Sequence, residues 1–599
     1  MKQFFGAFFG SIVGLLITGI ICALIIGAMI AGAIGGAFSG LDDEKVTIVK
    51  ENSVLHLKLN GMIHDRGVDN PFEELNFGPF MPEAALGINN ITEAIKKAKT
   101  DDKIKGIYLD VENIAAGFAT IEEIRNAIID FKSSKKFVYA YGEGFSQREY
   151  YLATAASKLF MNPQGGMEFK GLGMQLMFFK GALDKLNIEM QIFRHGKFKS
   201  AIEPFMLDKM SEANRMQVET YLGSIWNSML DGISKQRDIS VDELNKLANN
   251  LSINSTKSAL DNKLVDGLMY EDEVMDLIKK DLKIESKEKI AMVTLSKYVH
   301  HPKKWNGKER KLKTKDPKIA LIYAVGQIES GEGDDETIGS KRIAKAIKEA
   351  RQDSSIKAIV LRVNSPGGSA LASDVIWREV VLAKKAKPFV VSMGDVAASG
   401  GYYISCAADR IFAQPNTITG SIGVFGVLPN LQKMFSEKFG IHIDTVNTNK
   451  HSDVGSAFRP VSETERAYVQ QGVEEVYTTF IGRVAEGRNT TPEMIDGIGQ
   501  GRVWSGSDAL KINLVDELGG LDKAIAYAAK KANISDYKMI ELPKQKDPIS
   551  QLLSKGEDDM ENRIIHKNLG QQYEYFKFVQ NILSLKGVQA RLPYEMIIN

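Results

Sequence analysis

Cysteine is almost absent from these 599 residues: there are two, Cys22 inside an apolar run and Cys406 far away in the second half. An internal disulfide is not expected from such a pair, and cysteine usage does not fix the compartment. Histidine is scarce too, with eight in all. No His-Glu-x-x-His run occurs, and no histidine stands in a recognisable triad context, so the common zinc-protease signature is missing. Charge of one sign is also lacking. Lys and Arg number 76 against 75 Asp and Glu, a formal net charge of +1, and no nucleic-acid partner is expected without an electrostatic footprint. Gly196-Lys197 is followed by Phe198 rather than Ser or Thr, so it is not a phosphate loop. No metal or cofactor is expected. What remains is an ordinary folded composition, 44% apolar and 25% charged, in a chain too long for one core.

Charge is missing altogether from Phe4 to Leu41, where Ile, Leu, Phe, Gly and Ala dominate. About 20 such residues suffice for a helix to cross the hydrocarbon core, and the run is longer than a cleaved signal's apolar region. Ala31-Gly32-Ala33 could imitate a cleavage site, but the length favours a retained anchor over 1–44. Lys2 precedes the run and Asp42, Asp43 and Glu44 follow it. The N-terminus is therefore expected in the cytoplasm, with the bulk on the outer side of the cell membrane. Gly6, Gly10 and Gly14 share one face of that helix, a weak pointer to close helix packing.

The rest of the chain is written twice. Ile91–Val111 (ITEAIKKAKTDDKIKGIYLDV) and Ile343–Val363 (IAKAIKEARQDSSIKAIVLRV) share eleven of twenty-one positions at an offset of 252. The offset carries on through Phe137/Phe389, Gly142/Gly394 and Tyr150/Tyr402, and drifts by two at Leu264-Val265-Asp266/Leu514-Val515-Asp516. Apolar β-branched runs alternate with helical patterns in each copy, which predicts α/β units with mainly parallel sheets. The expected layout is a first repeat over 45–285, a Lys-, His- and Pro-rich linker over 286–317, a second repeat over 318–545, and a helical tail over 546–599.

Two strand-to-helix turns in the second copy invite chemistry. Asn364-Ser365-Pro366-Gly367-Gly368 exposes backbone N–H groups that can hold an oxyanion. Gly394-Asp395-Val396-Ala397-Ala398-Ser399-Gly400-Gly401 presents a serine among small residues at the start of a helix. Taken alone, the first is an ordinary turn and Ser399 is an N-cap. The two copies sharpen the reading. Ser399 corresponds to Gln147, Gly400-Gly401 to Arg148-Glu149, and Pro366-Gly367-Gly368 to Ile114-Ala115-Ala116. The first copy has lost those features but carries Lys199-Ser200-Ala201-Ile202-Glu203-Pro204-Phe205, in which Lys199 faces Ser452. A serine needs a base, and a buried lysine can be one.

These stretches, with Thr419-Gly420-Ser421-Ile422-Gly423-Val424, resemble the long, two-repeat form of the signal peptide peptidase A (protease IV) family over nearly all of the chain but the last fifty or so residues. The resemblance implies tandem Clp protease/crotonase-like domains behind one transmembrane helix, and a ring-like homotetramer facing the membrane. It implies a Ser/Lys dyad: Ser399 as nucleophile, Lys199 as general base, Ser421 orienting the lysine. Gly367, Gly368 and Gly400 are then the oxyanion hole, and released signal peptides the substrates. Two rivals share features of the sequence. An acyl-CoA enzyme could also use a Gly-Gly oxyanion turn, and a non-catalytic scaffold could retain the fold. The anchor and the split Ser/Lys pair count against the first.

Overall fold

The strand Ile356–Ser365 explains the second copy. Its apolar run does not alternate, and all of its residues but Lys357 and Asn364 are buried, the charged Arg362 included. A strand of that kind belongs in the middle of a parallel sheet covered on both faces. Lys318–Val325 and Phe389–Ala398 flank it in parallel register. The crossover helices Ser340–Gln352 and Ala370–Ala386 supply the connections. The eight-stranded sheet runs from Val503–Ser505 through Ile418–Gly420 and the three central strands to Lys538–Leu542. The computed structural model describes residues 49–67, 86–299, 304–305, 308–309, 316–545 and 588–592, with Gly14 and 17–21 besides.

The first copy repeats the plan. Ser53–His64, Ile104–Ala115, Phe137–Gly142 and Lys158–Met161 form consecutive parallel pairs in a seven-stranded sheet. The duplication survives in individual hydrogen bonds. Tyr150 Oη donates to the Leu264 carbonyl at 3.0 Å and Tyr402 Oη to that of Leu514 at 2.8 Å. Arg237 reaches Asp266, as Arg488 reaches Asp516. Two details differ from the expected layout. Met292–Thr294, within the expected linker, pairs with Ser53–His64, because that strand would otherwise leave an edge open. In the tail expected to be helical, Gln589–Arg591 is a strand. The expected anchor over 1–44 lies almost wholly outside the described residues, among which no helix is long and apolar enough to cross a membrane.

A third sheet joins the copies. Glu189–Arg194 of the first pairs antiparallel with Phe425–Asn430 of the second, from Arg194↔Phe425 to Glu189↔Asn430. Lys199 follows Arg194 by five residues and Ser421 precedes Phe425 by four, so this ladder delivers both to the same end. An ionic cluster holds the copies together as well. Arg362, fully buried, donates through Nε to Asp65 at 2.7 Å, and its Nη2 lies 3.0 Å from Glu123 Oε2 without the alignment of a hydrogen bond. Asp395 accepts from the Thr120 N–H at 2.9 Å and from its hydroxyl at 2.6 Å. Burial raises the carboxyl pKa of both Glu123 and Asp395. Burial opposes the charge of Arg362, but Glu123 and Asp65 more than offset it and hold its pKa above the ordinary value.

Candidate active site

Ser399 stands where the strand Phe389–Ala398 breaks into the helix Gly400–Ser405. Its backbone has φ 55° and ψ −115°, a region rarely used by residues with a side chain. Holding a serine there costs about 1–3 kcal/mol and persists only when the surroundings enforce it. They do. The Ser399 N–H donates to the Gly420 carbonyl at 2.8 Å, and its own carbonyl accepts from Tyr403 N at 2.8 Å. A methyl on Gly401 would stand 2.8 Å from the Ser365 carbonyl oxygen, so no larger residue could follow the turn so closely. The capping role weighed for Ser399 is not realised: no helix N–H reaches its Oγ.

Lys199 arrives from the other copy at the start of a single 3₁₀ turn, Ser200–Ile202. Its backbone is pinned from several sides. Phe198 N donates to the Gln500 carbonyl at 3.0 Å, and Gln217 Nε2 donates to Phe198 O at 3.2 Å and Ser200 Oγ at 3.0 Å. Gly501, at φ 81°, leaves no room for more: a methyl there would lie 2.7 Å from Lys199 Cα, Cβ and N. Lys199 Nζ donates to Ser399 Oγ at 2.9 Å, Ser421 Oγ at 3.1 Å and the Ser421 carbonyl at 3.2 Å. Lys199, Ser399 and Ser421 are all fully buried. Among the described residues no carboxylate pairs with this amine, and burial pushes its pKa well below the ordinary 10.5.

The glycine turn lies against the same point. Gly367 has φ 96°, and its N–H donates to Ser365 Oγ at 3.1 Å. A methyl on Gly367 would meet the Gly400 nitrogen at 2.7 Å, so the two turns touch. The structure thus brings together Lys199, Ser399, Ser421, Gly367 and Gly400, with Gly368 next along the turn. Ser452, opposite Lys199 in the repeat alignment, sits elsewhere on an exposed turn.

The first copy's counterpart is closed with its own side chains. Gln147 accepts from Lys170 N and Gly171 N, each at 2.8 Å. Glu149 accepts from Ile114 N at 3.0 Å, which occupies the counterpart of the glycine turn, and from Ser146 N at 2.7 Å, which closes a capping box at the start of the helix Gln147–Ala153. Sequence reasoning missed Gln217, Gly501 and Asp395 as parts of the assembly. Gly499-Gln500-Gly501 was a visible signal for a tight backbone approach; Gln217, inside the helix Glu212–Arg237, gave none.

The fold is a duplicated α/β scaffold of the Clp protease-like class, and its two copies meet at this buried Ser–Lys contact. Residues 130–285 and 382–535 match peptidase family S49, and 321–419 match the Clp protease family. Protease 4 of Salmonella typhi is 40% identical over 460 residues, covering 75% of this chain and 72% of its own. Protease 4 of Haemophilus influenzae is 35% identical over 82% of this chain and 81% of its own. The chloroplastic serine protease SPPA of Arabidopsis thaliana is 33% identical over 91% and 78%. The chain belongs to peptidase family S49, the signal peptide peptidase A (protease IV) group, and is a serine protease.

Proposed function

We propose that this protease cuts peptide bonds with Ser399 as nucleophile and Lys199 as general base. One observation carries the reading: a fully buried amine, unpaired with any described carboxylate, lies 2.9 Å from a serine hydroxyl. Protonated, the amine has three N–H donors and three acceptors around it. Neutral, it keeps two N–H groups for Ser421 Oγ and Ser421 O and turns its lone pair to Ser399. Ser421 is then the positioning residue that aims the base. Lys199 takes the Ser399 proton, Oγ attacks the carbonyl carbon, and the Gly368 and Gly400 N–H groups, held by the Gly367 turn, meet the oxyanion. Lys199 returns the proton to the leaving amine, and water releases the acyl-enzyme.

The substrates in this reading are released signal peptides and other apolar segments. The charge-free run Phe4–Leu41 supports anchoring in the cytoplasmic membrane with the catalytic bulk outside. A homotetramer is part of the same reading and rests on the family resemblance. Labelling with a serine-directed fluorophosphonate tests the dyad. Wild type is expected to label, whereas Ser399→Ala and Lys199→Met lose labelling by at least about a hundredfold. Unimpaired peptide hydrolysis by Lys199→Met would remove the lysine from the mechanism.

A further inference from the structure

The turn Gly499-Gln500-Gly501-Arg502 meets both the lysine and the serine that aims it. The Gln500 carbonyl accepts from Phe198 N at 3.0 Å, and Gly501 abuts the Lys199 backbone. Gly501 N donates to the Ile422 carbonyl at 2.7 Å, and the Arg502 carbonyl accepts from Ser421 N at 2.6 Å. Lys199 and Ser421 are thus registered against one four-residue stretch. Gln500 and Gly501 follow one another with φ of 52° and 81°, so the stretch continues neither the helix before it nor the strand after it. Its place depends on the bonds made to it from outside.

Tyr477 supplies one. Buried in the helix Glu463–Arg488, its hydroxyl accepts from Gln500 N at 3.2 Å and donates to Asp496 Oδ1 at 2.5 Å. Asp496 Oδ2 accepts from Gln500 Nε2 at 3.4 Å. The Tyr477 ring is itself clamped. His195 stacks on it with ring centroids 3.7 Å apart and 21° between the planes. His195 Nδ1 is tied at 2.5 Å to Glu474, one turn earlier on the tyrosine's helix.

The first copy shows what this tyrosine adds. Its helix Glu212–Arg237 also has 26 residues, with a serine cap before it and a left-handed residue after it, at an offset of 251. Trp226 then corresponds to Tyr477 and Asn245 to Asp496, and Trp226 Nε1 donates to Asn245 Oδ1 at 2.9 Å. The brace between the two helices is common to both copies. The difference lies in the ring's polar group: an indole N–H only donates, whereas a phenol hydroxyl also accepts. That accepting function stands in the copy whose turn holds Lys199. The first copy's turn leads to Leu251, 62% exposed, with no base to hold.

We propose that Tyr477 is a positioning residue for the dyad: its hydroxyl fixes the 499–502 turn, and through it the aim of Lys199 and Ser421 at Ser399. This rests on the dyad reading above. Tyr477 acts at a distance, by way of the Gln500 N–H and then the Phe198 and Ser421 N–H groups that the turn accepts. Without the hydroxyl, Gln500 N loses its acceptor and the turn loosens. The Lys199 amine is then held less firmly among its acceptors and is more readily hydrated, which favours its charged form.

Hydrolysis of an apolar reporter peptide across pH, with thermal unfolding alongside, tests this on Tyr477→Phe, Asp496→Ala and Tyr150→Phe. Tyr477→Phe is expected to lower kcat about tenfold with KM within about twofold of wild type. The pH midpoint of kcat/KM should rise by about one unit. Asp496→Ala, at a half-buried position, should move both in the same direction by less, and it carries the test should Tyr477→Phe fail to fold. Tyr150→Phe deletes an equally buried hydroxyl bond in the first copy. It should lower the unfolding temperature and leave kcat and the midpoint unchanged. If the folded Tyr477 and Asp496 variants keep the wild-type kcat and midpoint, the proposal is overturned and the dyad stands. Equal losses in Tyr150→Phe and Tyr477→Phe also overturn it, since they report general destabilisation. Unimpaired hydrolysis by Lys199→Met removes the dyad reading, and this role with it.

Discussion

Gly501 touches neither substrate nor nucleophile, yet Gly501→Ala is expected to disable the site. The added methyl would stand 2.7 Å from three Lys199 atoms, Cα, Cβ and N, against an ordinary contact of about 3.4 Å or more. Relief therefore needs a displacement of about 0.7 Å, the difference between those two distances. Applied along the 2.9 Å Lys199–Ser399 contact, it opens the pair to about 3.6 Å, outside hydrogen-bond range. Misplacements near 1 Å cost about a hundredfold in rate, so labelling and kcat/KM should fall about 10- to 100-fold. The φ of 81° adds about 1–3 kcal/mol of backbone strain for alanine. Gly497→Ala is the control. It lies in the helix Pro492–Ile498, where a methyl meets open space, and should keep full activity and gain up to about 1 kcal/mol. Thermal unfolding read beside the labelling rate separates the two effects. A folded Gly501→Ala enzyme that labels within about twofold of wild type would refute the idea that this backbone contact sets the lysine's position.

Because burial lowers the Lys199 pKa, the wild-type kcat/KM should rise with pH and level off below 10.5, the ordinary lysine value. The unfolded chain holds a proton that the folded chain has released between those two pKa values. Stability therefore rises with pH across that window, by at most about 1.4 kcal/mol per pH unit. Denaturant unfolding of Ser399→Ala with and without Lys199→Met reads this as a pH-dependent difference; a flat one would mean an exposed or permanently charged amine. Arg362→Met strands the buried carboxylates of Asp65 and Glu123 and should destabilise the junction by about 3–5 kcal/mol. The loss should be smaller at pH 5 than at pH 8, since the raised carboxyl pKa of Glu123 lets it take up a proton. Equal unfolding temperatures for the variant and wild type would contradict that role.

Much of this site was legible because duplication leaves a comparison inside one chain. Where Gln147 stands against Ser399, and Ile114-Ala115-Ala116 against Pro366-Gly367-Gly368, the difference between copies isolates the chemistry from the scaffold. The apolar runs and the spacing of glycines likewise fix strand, turn and helix locally, through side-chain period and backbone freedom.

Pairings between residues distant in the chain depend on how the strands are ordered and registered, and no local pattern encodes that. The antiparallel ladder of Glu189–Arg194 on Phe425–Asn430 sets a lysine and a serine 200 positions apart at one point. Gln217 and Gly501 acquire their roles only once Lys199 is there to be held. The tail shows the same limit most plainly. Val588-Gln589-Ala590 has no motif of its own, and its seat on the glycine turn exists only because folding leaves that edge open to receive it.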